Sequence, residues 1–260
     1  MAPTIDVIRH AESYHNVDPA HRNTRDPNLT PHGREQCRAL AQTYPHMRHV
    51  SHLVASPLNR CVSTAVIAFG DAVSAGKQAI LLPELQETGN MPTDTGSDRE
   101  AIQFMYGSQV DVSELDSNWS YRGPGSFYTP DLALVEERAR QARLFIRNLA
   151  RQARDDAHIV VVSHGGFLHF LTQDFAGIGG RYFTSYGNLT MRSFHFDDLH
   201  GQDSVAAMSE TPSSQEKNNF NCWSTLSEEE RRIAKACATR RVEAQKAWFE
   251  KTAASEGASG

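Results

Sequence analysis

The sequence predicts a three-layer α/β/α sandwich with a mainly parallel central sheet, and two observations carry that expectation. From about residue 3 to residue 175, short apolar segments alternate with amphipathic ones, the order of an α/β domain. One of them, His158-Ile159-Val160-Val161-Val162-Ser163, is apolar almost without interruption, as a strand covered on both faces must be. A chain of 260 residues can bury one sizeable core, and 39% hydrophobic with 22% charged residues is the mix of an ordinary globular protein.

The first strand is expected over Thr4–Arg9. Thr30 and Pro31 suit the N-cap and first position of a helix running towards Tyr44. His52–Ala55 reads as a second strand, and Ser56-Pro57 as the cap of a helix reaching about Phe69. Ala79–Leu82 reads as a third strand. Residues 88–128 are expected to form an insertion, irregular and aromatic-rich from residue 98 onwards. Its aromatics (Phe104, Tyr106, Trp119, Tyr121, Phe127 and Tyr128) could line a pocket or form a small core of their own, and the sequence leaves both open. A long helix over about Pro130–Arg154 follows, with Leu134, Ala142, Phe145 and Leu149 on one face. Gly165-Gly166 separates the apolar strand from a helix over Phe167–Phe175, and Leu189–Phe196 suits an additional edge strand.

The main domain is thus expected to span residues 1–200. Residues 201–225 are polar and Ser-rich and read as a loop or linker; Gly177–Gly180 reads as a plain loop. A helix is expected over residues 226–251, because Glu228, Glu229 and Glu230 open it and basic residues follow, matching the helix dipole. Its thin apolar face, Ile233, Cys237, Ala244 and Trp248, would pack on the domain or on a partner. Residues 252–260 read as a disordered tail.

Composition narrows the function. A formal net charge of −5 gives no support for a nucleic-acid partner. No run of 18 apolar residues suggests a membrane span, and the N-terminus lacks the features of a signal peptide. Cys37, Cys61, Cys222 and Cys237 form no CxxC pair, which suits free thiols in a reducing compartment, so a cytoplasmic location is expected. His46, His49 and His52 have spacings that could hold a metal, but no carboxylate or cysteine cluster accompanies them, so they read as a solvated helix end. No metal or other cofactor is expected, and homo-oligomerisation is left open.

In open α/β sheets, ligands bind in the crevice beyond the carboxyl ends of the strands. The first strand ends in Arg9-His10-Ala11, the second leads to Arg60, the third to Glu84-Leu85-Gln86-Glu87, and the buried strand ends in His164-Gly165-Gly166. Two histidines, two arginines and a carboxylic acid would then share one rim. Arginine forks and helix N-termini grip phosphate oxygens. A neutral imidazole whose other nitrogen is held by a carbonyl can attack phosphorus, and a protonated carboxyl can donate to the leaving oxygen.

Arg9-His10-Ala11-Glu12-Ser13-x-x-Asn16 resembles the RHGE[ST]xxN signature of the histidine phosphatase superfamily, phosphoglycerate-mutase-like branch. Leu29-Thr30-x-x-Gly33, Ser56-Pro57-Leu58-x-Arg60-x-x-x-Thr64-Ala65, Leu85-Gln86-Glu87 and Ser163-His164-Gly165-Gly166 are similar to its further motifs and follow in family order. Leu82–Gly96 looks most like a fungal subgroup. The resemblance implies a metal-independent phosphatase acting on a small phosphorylated molecule. His10 would be the phosphorylated nucleophile, with Arg9, Arg60, His164, Asn16 and Gly165 around the phosphate. Glu87 would protonate the leaving oxygen and then activate water, with Glu84 as the next candidate and Asp94 a more distant one. Ala11 stands where glycine is usual, and the GxWEG continuation after Glu87 is absent. A phosphoryl mutase and a repurposed phosphate-binding protein are the alternatives.

Overall fold

A computed structural model describes residues 2–178, 186–218, 223 and 226–257. Its strands are β1 (Thr4–Arg9), β2 (Val50–Ala55), β3 (Ala79–Leu81), β4 (Val110–Asp111), β5 (His158–Ser163), β6 (Met191–Phe196) and β7 (Met208–Glu210). Its α-helices are α1 (Tyr14–Val17), α2 (Pro31–Thr43), α3 (Asn59–Ala68), α4 (Gly70–Ser74), α5 (Arg99–Tyr106), α6 (Leu132–Gln152), α7 (Gly165–Thr172), α8 (Pro212–Asn218) and α9 (Glu228–Gly257). The sheet order is β4-β3-β2-β5-β1-β6-β7, parallel from β4 to β1 and antiparallel across β6 and β7.

Side chains alternate across a strand, and β5 divides its apolar run accordingly. Ile159 and Val161 join the cluster formed with α6, α7 and α9, whereas Val160 and Val162 join the cluster formed with α2, α3 and α5. Helices therefore cover both faces, and the expected three-layer α/β/α sandwich is what forms. Thr30 caps α2 by accepting from the Gly33 amide at 2.9 Å, with Pro31 in the first turn.

Several expectations need correction. Residues 201–225 are not simply a linker: β7 pairs with β6, and α8 follows it. Residues 219–222, 224 and 225, including Cys222, lie outside the described residues, as do Gly179 and Gly180. Strand β6 is consequently not an edge. The insertion is not irregular throughout, since it holds α5 and β4. Helix α9 continues to Gly257 rather than giving way to a tail at residue 252, while residues 258–260 lie outside the described residues.

Two helix faces also differ from the expected ones. In α6 the buried apolar side chains are Val135, Ala139, Ala142, Ile146 and Ala150; Leu134, Phe145 and Leu149 flank them, partly exposed. Arg138, Arg143 and Arg147 fill the rest of the buried face by sending their guanidinium groups to carbonyl oxygens and Asp203. Helix α9 docks through Ala234, Ala238 and Val242, leaving Ile233 and Trp248 exposed. Small side chains let it lie close to the domain, and Lys235–Glu136 and Lys246–Asp131 pairs flank the contact with α6.

Asp6 is buried in β1 and accepts hydrogen bonds from Tyr44 Oη at 2.6 Å, His158 Nδ1 at 2.7 Å and Ser193 Oγ at 2.5 Å. Burial opposes its charge, but these donors outweigh burial and hold the carboxyl below its ordinary value. Its contribution to stability is therefore fully present above the unfolded value of about 3.9 and lost as pH falls through the lower folded value. Asp6→Asn is expected to cost about 1.5–3 kcal/mol at pH 7. Urea unfolding should give that difference, and should give a smaller one at acid pH.

Candidate active site

The parallel register of β1 and β5 sets the two histidines side by side. Arg9 is opposite Ser163, and the His10 amide donates to the Ser163 carbonyl at 2.9 Å. His10 and His164 thus leave neighbouring strand ends, with ring centroids 5.3 Å apart. The Ser56 amide donates to Val162 O, which adds the end of β2 to the same rim.

His10 Nδ1 donates to the Ala11 carbonyl at 2.7 Å, which leaves the lone pair on Nε2. Burial, then Arg60, Arg9 and His15, push its pKa well below the ordinary histidine value, so the ring is neutral. The Ala11 methyl is accommodated in the apolar cluster beneath the site, and its amide donates to Thr64 Oγ1 at 3.0 Å. Thr64 in turn donates to the Arg60 carbonyl one turn earlier, joining the two sides of the site. Glu12 and Ser13 support the loop: Glu12 accepts from Thr30, and Ser13 Oγ donates to Asn28 O. Gly33 is required there, because a Cβ would lie 2.0 Å from the Glu12 carbonyl.

Arg60 is 1% exposed, donating from Nη1 to Thr93 O and from Nη2 to Asp94 Oδ1 at 3.2 Å. Arg9 donates from Nη1 to Tyr186 O. Each keeps a buried Nε with no partner among the described residues. Arg138 and Arg147 do likewise; the charges of Arg9 and Arg60, however, are felt directly at His10. His164 is buried, with Nε2 2.8 Å from Ser56 Oγ and 3.4 Å from Cys61 Sγ. Burial, Arg60 and His10 keep it neutral as well. Ser56 is therefore not the cap of α3, whose N-cap is Leu58; its hydroxyl serves His164 instead.

Glu87 Oε1 accepts from the Thr88 amide at 2.8 Å, and Oε2 accepts from the Gly166 amide at 3.2 Å in the first turn of α7. Gly166 permits that approach, since a Cβ would sit 2.5 Å from Oε1. Burial raises the carboxyl's proton affinity, but Arg241, the Thr88 and Gly166 amides and Arg60 outweigh it and hold Glu87 below its ordinary value. Glu84 instead has its proton affinity raised by burial, beside Arg138, Glu114 and Asp116. Asp94 is committed to Arg60. Of the three carboxyls, Glu87 is the one joined to the helix that His164 opens.

Residues 5–209 match the histidine phosphatase superfamily, branch 1. The chain belongs to that superfamily. An ecdysone phosphate phosphatase from Bombix mori is similar at 17% identity and a TM-score of 0.52, over 74% of this chain and 89% of that one. A phosphoserine phosphatase from Entamoeba histolytica aligns at 20% identity and a TM-score of 0.46, over 86% and 100%. A mycobacterial glucosyl-3-phosphoglycerate phosphatase aligns at 19% and 0.49, over 81% and 98%. The likeness to the Bombix mori enzyme supports the fold alone. No curated protein sequence matches the chain.

Against the superfamily's motifs, the fold brings His10, Arg9, Arg60, His164 and Glu87 together, with Gly165 opening α7. Asn16 is exposed at the edge, its Oδ1 accepting from the Ser13 amide and its Nδ2 beside His15 Nε2. His15 fell on an unassigned motif position. Its ring lies 5.8 Å from that of His10, and burial, Arg60 and Arg9 lower its pKa to about 3. Asn188, which donates to the His10 carbonyl at 2.9 Å, and Arg241, whose charge reaches Glu87 from α9, likewise carried no sequence signal. Trp119 belongs to the main core, while Tyr121, Trp248 and Arg25 help line a pocket of about 570 Å³ beside Asn90.

Among the described residues, no group of three or more His, Cys, Asp or Glu side chains is arranged to hold a metal. His46 stacks on His158 at 4.0 Å, His49 pairs with Asp156, and His52 meets Ser51. Among the described residues, no helix is long and apolar enough to cross a membrane.

Proposed function

We propose that this superfamily member is a phosphatase that hydrolyses a small phosphomonoester through a phosphohistidine on His10, without a metal. The observation that carries the reading is the state of His10. It is neutral, locked through Nδ1 onto Ala11 O, faced by His164 and flanked by the buried Arg60 and the half-buried Arg9. Arg9, Arg60 and His164 would hold the phosphoryl oxygens, with Asn16 at the rim and the amide end of α7, at Gly165, behind them. In the first step His10 Nε2 bonds to phosphorus as the ester P–O bond breaks, and Glu87 passes its proton to the leaving oxygen. Water then attacks phosphorus, Glu87 takes the water's proton, and the N–P bond breaks to release inorganic phosphate and neutral His10.

Glu87 is ionised in the empty site, so the proton it donates must arrive with the substrate. A phosphate dianion beside the carboxyl raises its proton affinity, and a monoanion brings the proton itself. The fall in His10's pKa has a separate consequence. Because the ring protonates only well below pH 6.5, kcat/KM for an aryl phosphate should show no acid limb at the ordinary histidine pKa. An acid limb centred near pH 6.5 would contradict a neutral His10.

The deciding experiment is a rapid acid-free quench of the protein with a radiolabelled phosphomonoester in the presence of EDTA. An acid-labile, base-stable phosphoprotein is expected. Turnover that EDTA abolishes, or turnover with no labelled protein, would sink the mechanism. Product analysis separates hydrolysis from a mutase, which would form isomerised ester faster than free phosphate.

A further inference from the structure

We infer that Arg122, in the insertion, is a positioning residue for Glu87: it clamps the loop Gln86–Asn90 so that the carboxyl stays on the leaving-group side of His10. The inference rests on the reading of Glu87 as the proton donor. Arg122 is 5% exposed. Its Nε donates to Asn90 Oδ1, Nη1 to Gln86 Oε1 and Asp94 O, and Nη2 to Glu87 O and Gly89 O. A guanidinium has five N–H bonds, and these five acceptors take all of them. Arg60 and Arg9 differ in keeping a buried Nε–H unpaired among the described residues. Arg122 thus has no donor left for a phosphate oxygen, and its work is done on the loop.

That work is specific to the acid. Two of the acceptors are carbonyls at Glu87 and Gly89, on either side of the Thr88 amide that binds the Glu87 carboxylate. A third, Asp94 O, belongs to the residue that pairs with Arg60. One planar fork therefore fixes the acid's backbone and the phosphate arginine's partner in a single frame. Arg138 supports the same loop from α6 through Glu84 O, Gln86 O and Glu87 O. The insertion carrying Arg122 is thereby coupled to proton transfer. Lysine, with three donors on a flexible stem, cannot reproduce a five-acceptor planar clasp.

The test uses leaving groups that differ in their need for a proton. Arg122→Lys and Glu87→Gln are compared with wild type on 4-nitrophenyl phosphate and on an alkyl phosphate such as glycerol 2-phosphate. The readout is kcat/KM, which reports the first transfer. General acids contribute about 10²–10⁴-fold, needed chiefly for the poor leaving group. Glu87→Gln should lose about 10²-fold or more on the alkyl ester and far less on the aryl ester. Arg122→Lys should show the same split, with an alkyl loss of about 30-fold and an aryl loss within about 3-fold. Equal losses on both substrates would overturn the inference, as a general structural role predicts. A split in neither variant would overturn the reading of Glu87 along with it. If Arg122→Lys fails to fold, Asn90→Ala removes one acceptor of the clasp, and a split of about 5-fold is then expected. No split in Asn90→Ala would overturn the inference.

Discussion

His10→Gln is expected to reduce turnover of every phosphomonoester by at least about 10⁴-fold while leaving the fold intact. Glutamine can keep a donor near the Ala11 carbonyl that Nδ1 holds at 2.7 Å, but it has no nucleophilic ring nitrogen. What remains should be the smaller effect of a positively charged cradle, since Arg9 and Arg60 are untouched. On the proposed mechanism, the neighbouring substitution His164→Gln removes a phosphate contact and not the nucleophile. A loss of about 10²–10³-fold is expected for it, with phosphoprotein still formed, only more slowly. Circular dichroism and thermal melting would show that both variants are folded, and steady-state assays with label trapping would separate them. A His10→Gln enzyme within tenfold of wild type would remove His10 from the chemistry.

The parts of this site that were legible in the sequence are those whose information is local. The run His158–Ser163 is apolar throughout because its strand is covered on both faces, so the strand and the histidine that ends it could be read together. Thr30-Pro31 announced α2 through its own cap. By contrast, Arg122 meets Glu87 across 35 positions and Asn188 meets His10 across 178, and no window of sequence contains both partners. The face of α6 was misplaced for a related reason. Arg138, Arg143 and Arg147 look like solvent residues, yet they are buried because carbonyls and Asp203 from other segments take their donors. β7 is three residues long, with Ser209 facing solvent, and its hold on the domain is tertiary.

That hold supports the second large expectation. Arg192 on β6 is 4% exposed and pairs with Asp174 and with both carboxylate oxygens of Glu210 on β7, at 3.0 and 2.6 Å. It also donates to Tyr186 Oη. A buried pair of this kind adds little over an apolar replacement, but removing one partner strands the other. Arg192→Leu would leave two buried carboxylates without their cation, at a cost of about 3–5 kcal/mol. At about 2–4 °C per kcal/mol for a domain of this size, the melting temperature should fall by about 10 °C. Adding Asp174→Asn and Glu210→Gln to Arg192→Leu should recover much of that loss, because the stranded charges are then gone. A single variant as stable as wild type at neutral pH would mean that β7 is fastened by something other than this triad. Below its melting transition the variant should keep His10 in place, since the contacts through Ser163, Thr64 and Ala11 do not pass through Arg192. A loss in kcat/KM would instead run through Arg9, whose acceptor Tyr186 O belongs to the residue that Arg192 also holds.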